Sequence, residues 1–256
     1  MNYDIGQGTR IFKVCEFSTF FNKMSINKTE IPALDIDEPL ADEMGDNHTP
    51  TSVDTPLRKD AFDLSDQEKI EVIEKHFAKI MHTLGLDLTD QSLKGTPHRV
   101  AKMFVKEIFN GLDPKNKPTA RQFDNEFEYG DMVVEKNINV TSFCEHHFLP
   151  FIGKAHVAYM SSGKVIGLSK INRIVDYFAR RPQVQERLTL QIANELKRAM
   201  DTEDVAVFIE SKHLCVSTRG IKDRESSTVT TEYSGRFREE IAQQRFIDYI
   251  SQQTEM

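Results

Sequence analysis

Any fold of this chain has to bring two distant clusters together, Cys144-Glu145-His146-His147 and His213-Leu214-Cys215. They hold two of the three cysteines and three of the eight histidines. Cys144 and His147 are three positions apart, so one tight turn can aim both side chains at a single ion, and Cys215 supplies a distant third ligand. Three protein ligands leave a fourth tetrahedral position open to water, which separates a hydrolytic zinc from a closed structural one. Spacing leaves one alternative open, a structural knuckle with His146 or His213 as fourth ligand.

The 256 residues suit one large domain, or one domain with helical additions. No apolar run is long enough to cross a bilayer, no secretory leader is recognisable, and the cysteines lack disulfide-framework spacing. A soluble, cytoplasmic protein is expected, where reducing conditions keep Cys144 and Cys215 available as thiolates. The net charge of −7 argues against a general nucleic-acid surface, so any basic patch must be local. Neither nucleic acid nor membrane is an expected partner.

Residues 1–62 read as a flexible arm, since Met24 to Arg58 is rich in Asp, Glu, Thr and Pro and has no sustained period. Within it, Ile11-Phe12 and Phe17 to Phe21 form an apolar patch that does not suit a disordered tail. A start codon placed too early, with Met24 the true initiator, would explain it and would remove Cys15. The domain is read as 63–256, beginning with helices over 65–111. Ser65 before Asp66-Gln67-Glu68 is a capping box, followed by an apolar stripe of Ile70, Ile73, Phe77, Ile80 and Met81 to about Gly85. Thr96 as N-cap with Pro97 opens a second helix, which stops at Gly111.

Met132 to Val140 and Gly153 to Met160 alternate as strands, with the Cys144 cluster in the loop between them. Ser169 caps a helix through Phe178, Pro182 interrupts, and another helix runs through Val184, Leu188, Ile192 and Leu196. Val205 to Val216 reads as a strand, Thr228 to Tyr233 as its hairpin partner, and Arg238 to Ile250 as a closing helix. The order α-α-β-β-α-α-β-β-α predicts an α+β fold.

On a strand, residues two apart share a face, so His213 is expected beside the metal with Cys215. His213 could then exchange protons with a substrate at the open position, with His146 a second candidate. Ser169, Lys170 and Arg173 at a helix start, Arg219 after Cys215, and Arg99 and Lys102 on the second helix could hold phosphates. Ordinary surface pairing is the competing reading for these cations. Glu186 could accept two N–H bonds from an edge such as guanine's N1 and N2, although a Glu near a helix start is more often a surface residue.

From about Asp63 onward the chain closely resembles GTP cyclohydrolase I of the bacterial type. The matching motifs are Thr96-Pro97-His98-Arg99-Val100-Ala101-Lys102-Met103, Cys144-Glu145-His146-His147, Gly167-Leu168-Ser169-Lys170-Ile171-Asn172-Arg173, Arg181-Pro182-Gln183-Val184-Gln185-Glu186-Arg187-Leu188 and His213-Leu214-Cys215. The resemblance implies the tunnelling fold, an antiparallel sheet with helices on one face and subunit sheets joined into a barrel. It also implies a homodecamer of two pentamers with active sites shared between subunits. GTP would be the substrate, with formate and 7,8-dihydroneopterin triphosphate as products, at the entry to tetrahydrofolate and other pterin synthesis. By the same resemblance Cys144, His147 and Cys215 hold Zn2+, and His146 and His213 transfer protons. Glu186 would bind the base, Gln185 would be a further substrate-binding residue, and Arg99, Lys102, Ser169, Lys170, Arg173 and Arg219 would bind the ribose and triphosphate. A relative on the same fold, the nitrile-reducing enzyme of queuosine synthesis, is the main rival, but it uses a nucleophilic cysteine and NADPH.

Overall fold

A computed structural model describes residues 52–119 and 121–252. The apolar patch before Met24, Cys15 and most of the arm read from the sequence lie outside the described residues. The first helix, α1 (Asp66–Thr83), begins with the expected capping box: Ser65 Oγ accepts from the Glu68 N–H and the Glu68 carboxylate accepts from the Ser65 N–H. Ile70 and Met81 of its stripe are buried, whereas Ile80 is half exposed. Gly85 closes the helix at φ 83°, a left-handed conformation that glycine adopts without a Cβ clash.

Helix α2 (Thr96–Met103) differs from expectation at its start. Gly95 is the N-cap, and Thr96 Oγ1 is taken at 2.7 Å by the Arg99 guanidinium, so Thr96 caps nothing. The helix passes into a π turn at Phe104–Ile108 and 3-10 turns at Asn110–Leu112 and Pro114–Asn116. Gly111 lies flush against the later helix α3 (Leu168–Ala179). Its N–H donates to the Arg180 carbonyl at 2.9 Å, and a Cβ there would fall 2.1 Å from the Tyr177 carbonyl oxygen.

The main sheet is built from β2 (Met132–Cys144), β3 (Pro150–Met160), β5 (Pro182–Gln183), β6 (Val205–His213) and β7 (Thr228–Tyr233), in the order β5-β2-β3-β6-β7. A small pair, β1 (Gln122–Asp124) with β4 (Lys164–Ile166), was not anticipated. Pairings are antiparallel except β2 with β5, where Phe143 and Cys144 lie opposite Pro182 and Gln183 in parallel. The sheet is therefore not purely antiparallel. Asn137, at φ 63°, sits in a break of register in β2 between Glu135 and Ile138.

Helix α3 and α4 (Gln185–Met200) cover one face, packing Ile171, Ile174, Leu188, Ile192 and Leu196 against Val140, Phe151, Val157 and Ile209. Ser169 does not cap α3, since the N-cap is Gly167 and no side chain bonds there. The closing helix, α6 (Glu240–Ser251), packs on the other face. Phe237, Ala242 and Phe246 meet Met132, Ala158, Met160 and Ala206. Helices on one face only is thus corrected, and the reason is visible in β3, whose last six residues are all buried because both faces are covered there. The expected strand over Val205 to Val216 ends at His213. Leu214–Ser217 forms a one-turn helix, α5, closed by bonds from the Thr218 N–H and hydroxyl to the Leu214 carbonyl.

Candidate active site

Cys144 is the last residue of β2 and is buried. Its N–H donates to the Leu149 carbonyl and its carbonyl accepts from the Phe148 N–H, both at 2.8 Å, which folds 144–149 into a tight loop. The Glu145 N–H donates to the Gln183 carbonyl at 3.0 Å, extending the β5 contact. Phe109, from the irregular segment after α2, props this loop from outside, with its ring 5.6 Å from Phe143 and 5.2 Å from Phe148. Cys144 Sγ lies 3.7 Å from His146 Nδ1 and 3.8 Å from His147 Nδ1.

Pairing of β3 with β6 sets His213 opposite Phe151, and the two rings stack at 4.6 Å and 12°. The chain then turns into α5, which carries Cys215, so the period-two argument for placing Cys215 beside His213 does not apply. Convergence comes instead from the helical turn. Donor atoms of Cys144, His147 and Cys215 lie within 4.8 Å of one another. Ligands at zinc-like bond lengths stand roughly 3.3–3.8 Å apart around a tetrahedral ion, so small side-chain rotations close the difference. Burial, followed by the neighbouring Cys144, pushes the Cys215 thiol up to about 11. Two adjacent thiolates are disfavoured here without a cation, and two sulfurs with an imidazole form a donor set that fits a soft divalent metal ion.

Gln185, 1% exposed, fixes His213. Its amide nitrogen faces three acceptors, the carbonyls of Ile209 at 3.1 Å and Thr228 at 3.0 Å and the Thr230 hydroxyl at 3.1 Å. That leaves Oε1 toward His213 Nε2 at 2.8 Å, so Nε2 carries the donated proton and Nδ1 is the lone-pair nitrogen of the neutral ring. Burial lowers the His213 pKa, and the charge of Glu186 opposes that shift. Glu186 itself is exposed on the first turn of α4. Its neighbour Arg187 forms a two-point ion pair with Glu145 at 2.5 and 3.2 Å, a long-range contact with no local signal in the sequence. Arg219 Nη1 lies 2.8 Å from His147 Nε2.

The remaining candidate cations stand apart. Asn172 of α3 donates to Glu135 near the start of β2 at 3.1 Å, and at about 3.3 Å per residue that point is on the order of 30 Å from Cys144. Ser169, Lys170 and Arg173 therefore lie toward the opposite end of the sheet. Lys170 and Arg173 line a cavity of about 470 Å³ that also receives Lys117 and Arg180. Arg99 and Lys102 are exposed on α2, with Arg99 bonded to Thr96 and to the Ser92 carbonyl.

The sequence profile described as GTP cyclohydrolase I matches residues 73–251. A GTP cyclohydrolase 1 of Flavobacterium johnsoniae is 62% identical over 85% of this chain and 98% of its own length. One of Aeromonas salmonicida is 53% identical over 73% of this chain and 84% of its own. Among solved structures, an archaeosine synthase QueF-like protein in the apo form aligns at 19% identity with a TM-score of 0.35, over 41% of this chain and 93% of that one, too slight a likeness to carry weight. With the profile spanning both the Cys144 turn and the Cys215 helix, the chain belongs to the GTP cyclohydrolase I family.

Proposed function

We propose that the chain is a zinc-dependent GTP cyclohydrolase that converts GTP and water to formate and 7,8-dihydroneopterin triphosphate, the first step of tetrahydrofolate and related pterin synthesis. One observation carries this beyond family membership: the donor atoms of Cys144, His147 and Cys215 converge within 4.8 Å at the end of the sheet that also holds His146, His213 and Glu186. Zinc on those three side chains would supply a Lewis acid that makes water nucleophilic near neutral pH.

The protein's own groups do the rest. Glu186 accepts the N1 and N2 hydrogens of guanine and keeps C8 over the cluster, a positional effect. Water adds at C8, the imidazole ring opens to a formamide, and a second addition releases formate; the ribose then rearranges and closes onto the freed amine with loss of one water, with His146 and His213 giving and taking protons. His213 exchanges its proton at Nδ1, because Nε2–H is committed to Gln185. Gln185 thereby serves the base site through the histidine it holds.

Arg219, Ser169, Lys170, Arg173, Arg99 and Lys102 are assigned to the ribose and triphosphate. The separation of Ser169, Lys170 and Arg173 from Cys144 supports sites completed by a second copy, as in a tunnelling-fold barrel of two pentamers. Strand β7 is the last strand of the described sheet, an edge to which a strand of another copy could pair.

The test incubates zinc-loaded protein with GTP and follows formate together with the absorbance and fluorescence of the oxidised pterin. Both products from wild type and neither from Cys215→Ser are expected. Tight GTP binding without either product would replace the enzyme with a nucleotide-binding module.

A further inference from the structure

The first turn of α4 holds both halves of the cluster. Gln185 takes His213, which leads into the helix carrying Cys215, while Arg187 takes Glu145, which sits between Cys144 and His146. The Arg187 side chain is 4% exposed and that of Glu145 20%. Nη1 donates to Oε2 at 2.5 Å and Nη2 to Oε1 at 3.2 Å, a paired arrangement that fixes the plane of the carboxylate as well as its place. With its N–H on the Gln183 carbonyl, Glu145 is held by backbone and side chain together.

The remaining Arg187 donor, Nε, reaches the carbonyl of Ser52 at 3.0 Å. The segment beginning there is tied again two residues later, where Gln191 Nε2 donates to Asp54 Oδ1 at 3.3 Å. Thr55, Pro56 and Leu57 then line a cavity of about 400 Å³ that Glu145, His146 and Pro182 also line. One guanidinium thus touches both the ligand-bearing turn and the segment over it.

We propose that Arg187 is a positioning residue for the metal site: through Glu145 it sets the orientation of the Cys144–His147 turn, and through Ser52 it couples that turn to residues 52–57. Stability alone is a poor account of the pair, because a buried ion pair commonly stabilises a fold no better than apolar residues of similar volume. Its placement between two metal-binding candidates gives it a different use, since groups that brace metal ligands tune metal affinity by factors of about 10–100. This inference rests on the zinc reading above.

The experiment compares full-length wild type, Arg187→Met, Arg187→Lys and Glu145→Gln. Zinc affinity is measured by chelator competition, kcat and KM by formate release from GTP, and backbone exposure by hydrogen–deuterium exchange. Arg187→Met is expected to weaken zinc binding at least tenfold and to lower kcat by a similar factor, while KM for GTP moves less than about threefold. Arg187→Lys should recover part of the loss, because it restores the charge without the paired geometry. Exchange should rise over 144–149 in both Arg187→Met and Glu145→Gln, but over 52–57 only in Arg187→Met. Zinc affinity and kcat within twofold of wild type in Arg187→Met would overturn the proposal, and should that variant fail to fold, the same outcome in Glu145→Gln would do so. Wild type that neither binds zinc nor releases formate would instead overturn the functional reading itself.

Discussion

The two ends of the sheet are built on opposite principles. At the Cys144 end two buried side chains of α4 brace the cluster while Glu186 stays exposed: Gln185 spends its whole amide on His213, β6 and β7, and Arg187 spends its guanidinium on Glu145 and Ser52. At the end where α3 begins, Ser169 stands exposed, and Lys170 lines, with Arg173, a basic cavity that runs along the helix to Arg180. Burying a polar group is costly unless it is bonded, so the contacts of Gln185 and Arg187 mark a geometry the single chain supplies. Solvated cations mark a surface that acquires its geometry when an anion or another surface arrives.

The largest expected effect tests the braced end. His213→Ala, assayed at saturating zinc, should lower kcat by about 10²–10⁴-fold, the usual range for a lost proton-transfer group. A loss under tenfold, measured by single-turnover formate release, would remove His213 from proton transfer. Next, co-assembly of Arg173→Ala with Cys215→Ser tests whether the exposed end serves another copy. Each variant alone should be nearly inactive, whereas an equal mixture in which sites draw on two copies should regain about a quarter of wild-type activity. Additive residual activity with no recovery would place both groups in one chain's site.

A smaller effect is expected from Glu186→Ala, which should raise KM for GTP about 10- to 100-fold and change kcat less, since a lost charged hydrogen-bond pair weakens ground state and transition state together. Wild-type kinetics would remove Glu186 from the site. The smallest concerns His156, a buried residue of β3 near Lys136, Lys154 and Glu210. Burial first, then Lys136, lowers its pKa, so the folded state resists the proton that the unfolded chain accepts. Its contribution is intact above the unfolded value of about 6.5 and is lost as pH falls below it. His156→Phe should therefore flatten the fall in thermal midpoint between about pH 7 and 5 by a few degrees, and an unchanged slope in a melting series would discount the residue.

Local chemistry made part of this fold legible. The Ser65 box is contained in four consecutive residues and forms as read. Thr96 does not cap because Arg99, one turn on, takes its hydroxyl, and Cys215 leaves the strand because bonds from Thr218 close a helical turn there. Two-sided burial at the end of β3 could have been suspected from the unbroken apolar tone of Val157 to Met160, but which helix covers the second face depends on long-range packing. The meeting of Cys144, His147 and Cys215 was foreshadowed by rare residue types at short spacing. The hold of Gln185 on His213 was not, because it exists only once the register of β6 and β7 fixes Thr228 and Thr230.

Gly111 gives the structure a mechanical tolerance. Its bare Cα lets the segment after α2 lie directly on the carbonyls that end α3, and two residues earlier Phe109 wedges the loop carrying Cys144 and His147. The segment works as a shim whose thickness is set at one position: a single methyl at 111 cannot be absorbed against backbone atoms 2.1 Å away. The displacement would pass along the shim to the aromatic wedge and shift the Cys144–His147 turn, which the altered residue never touches.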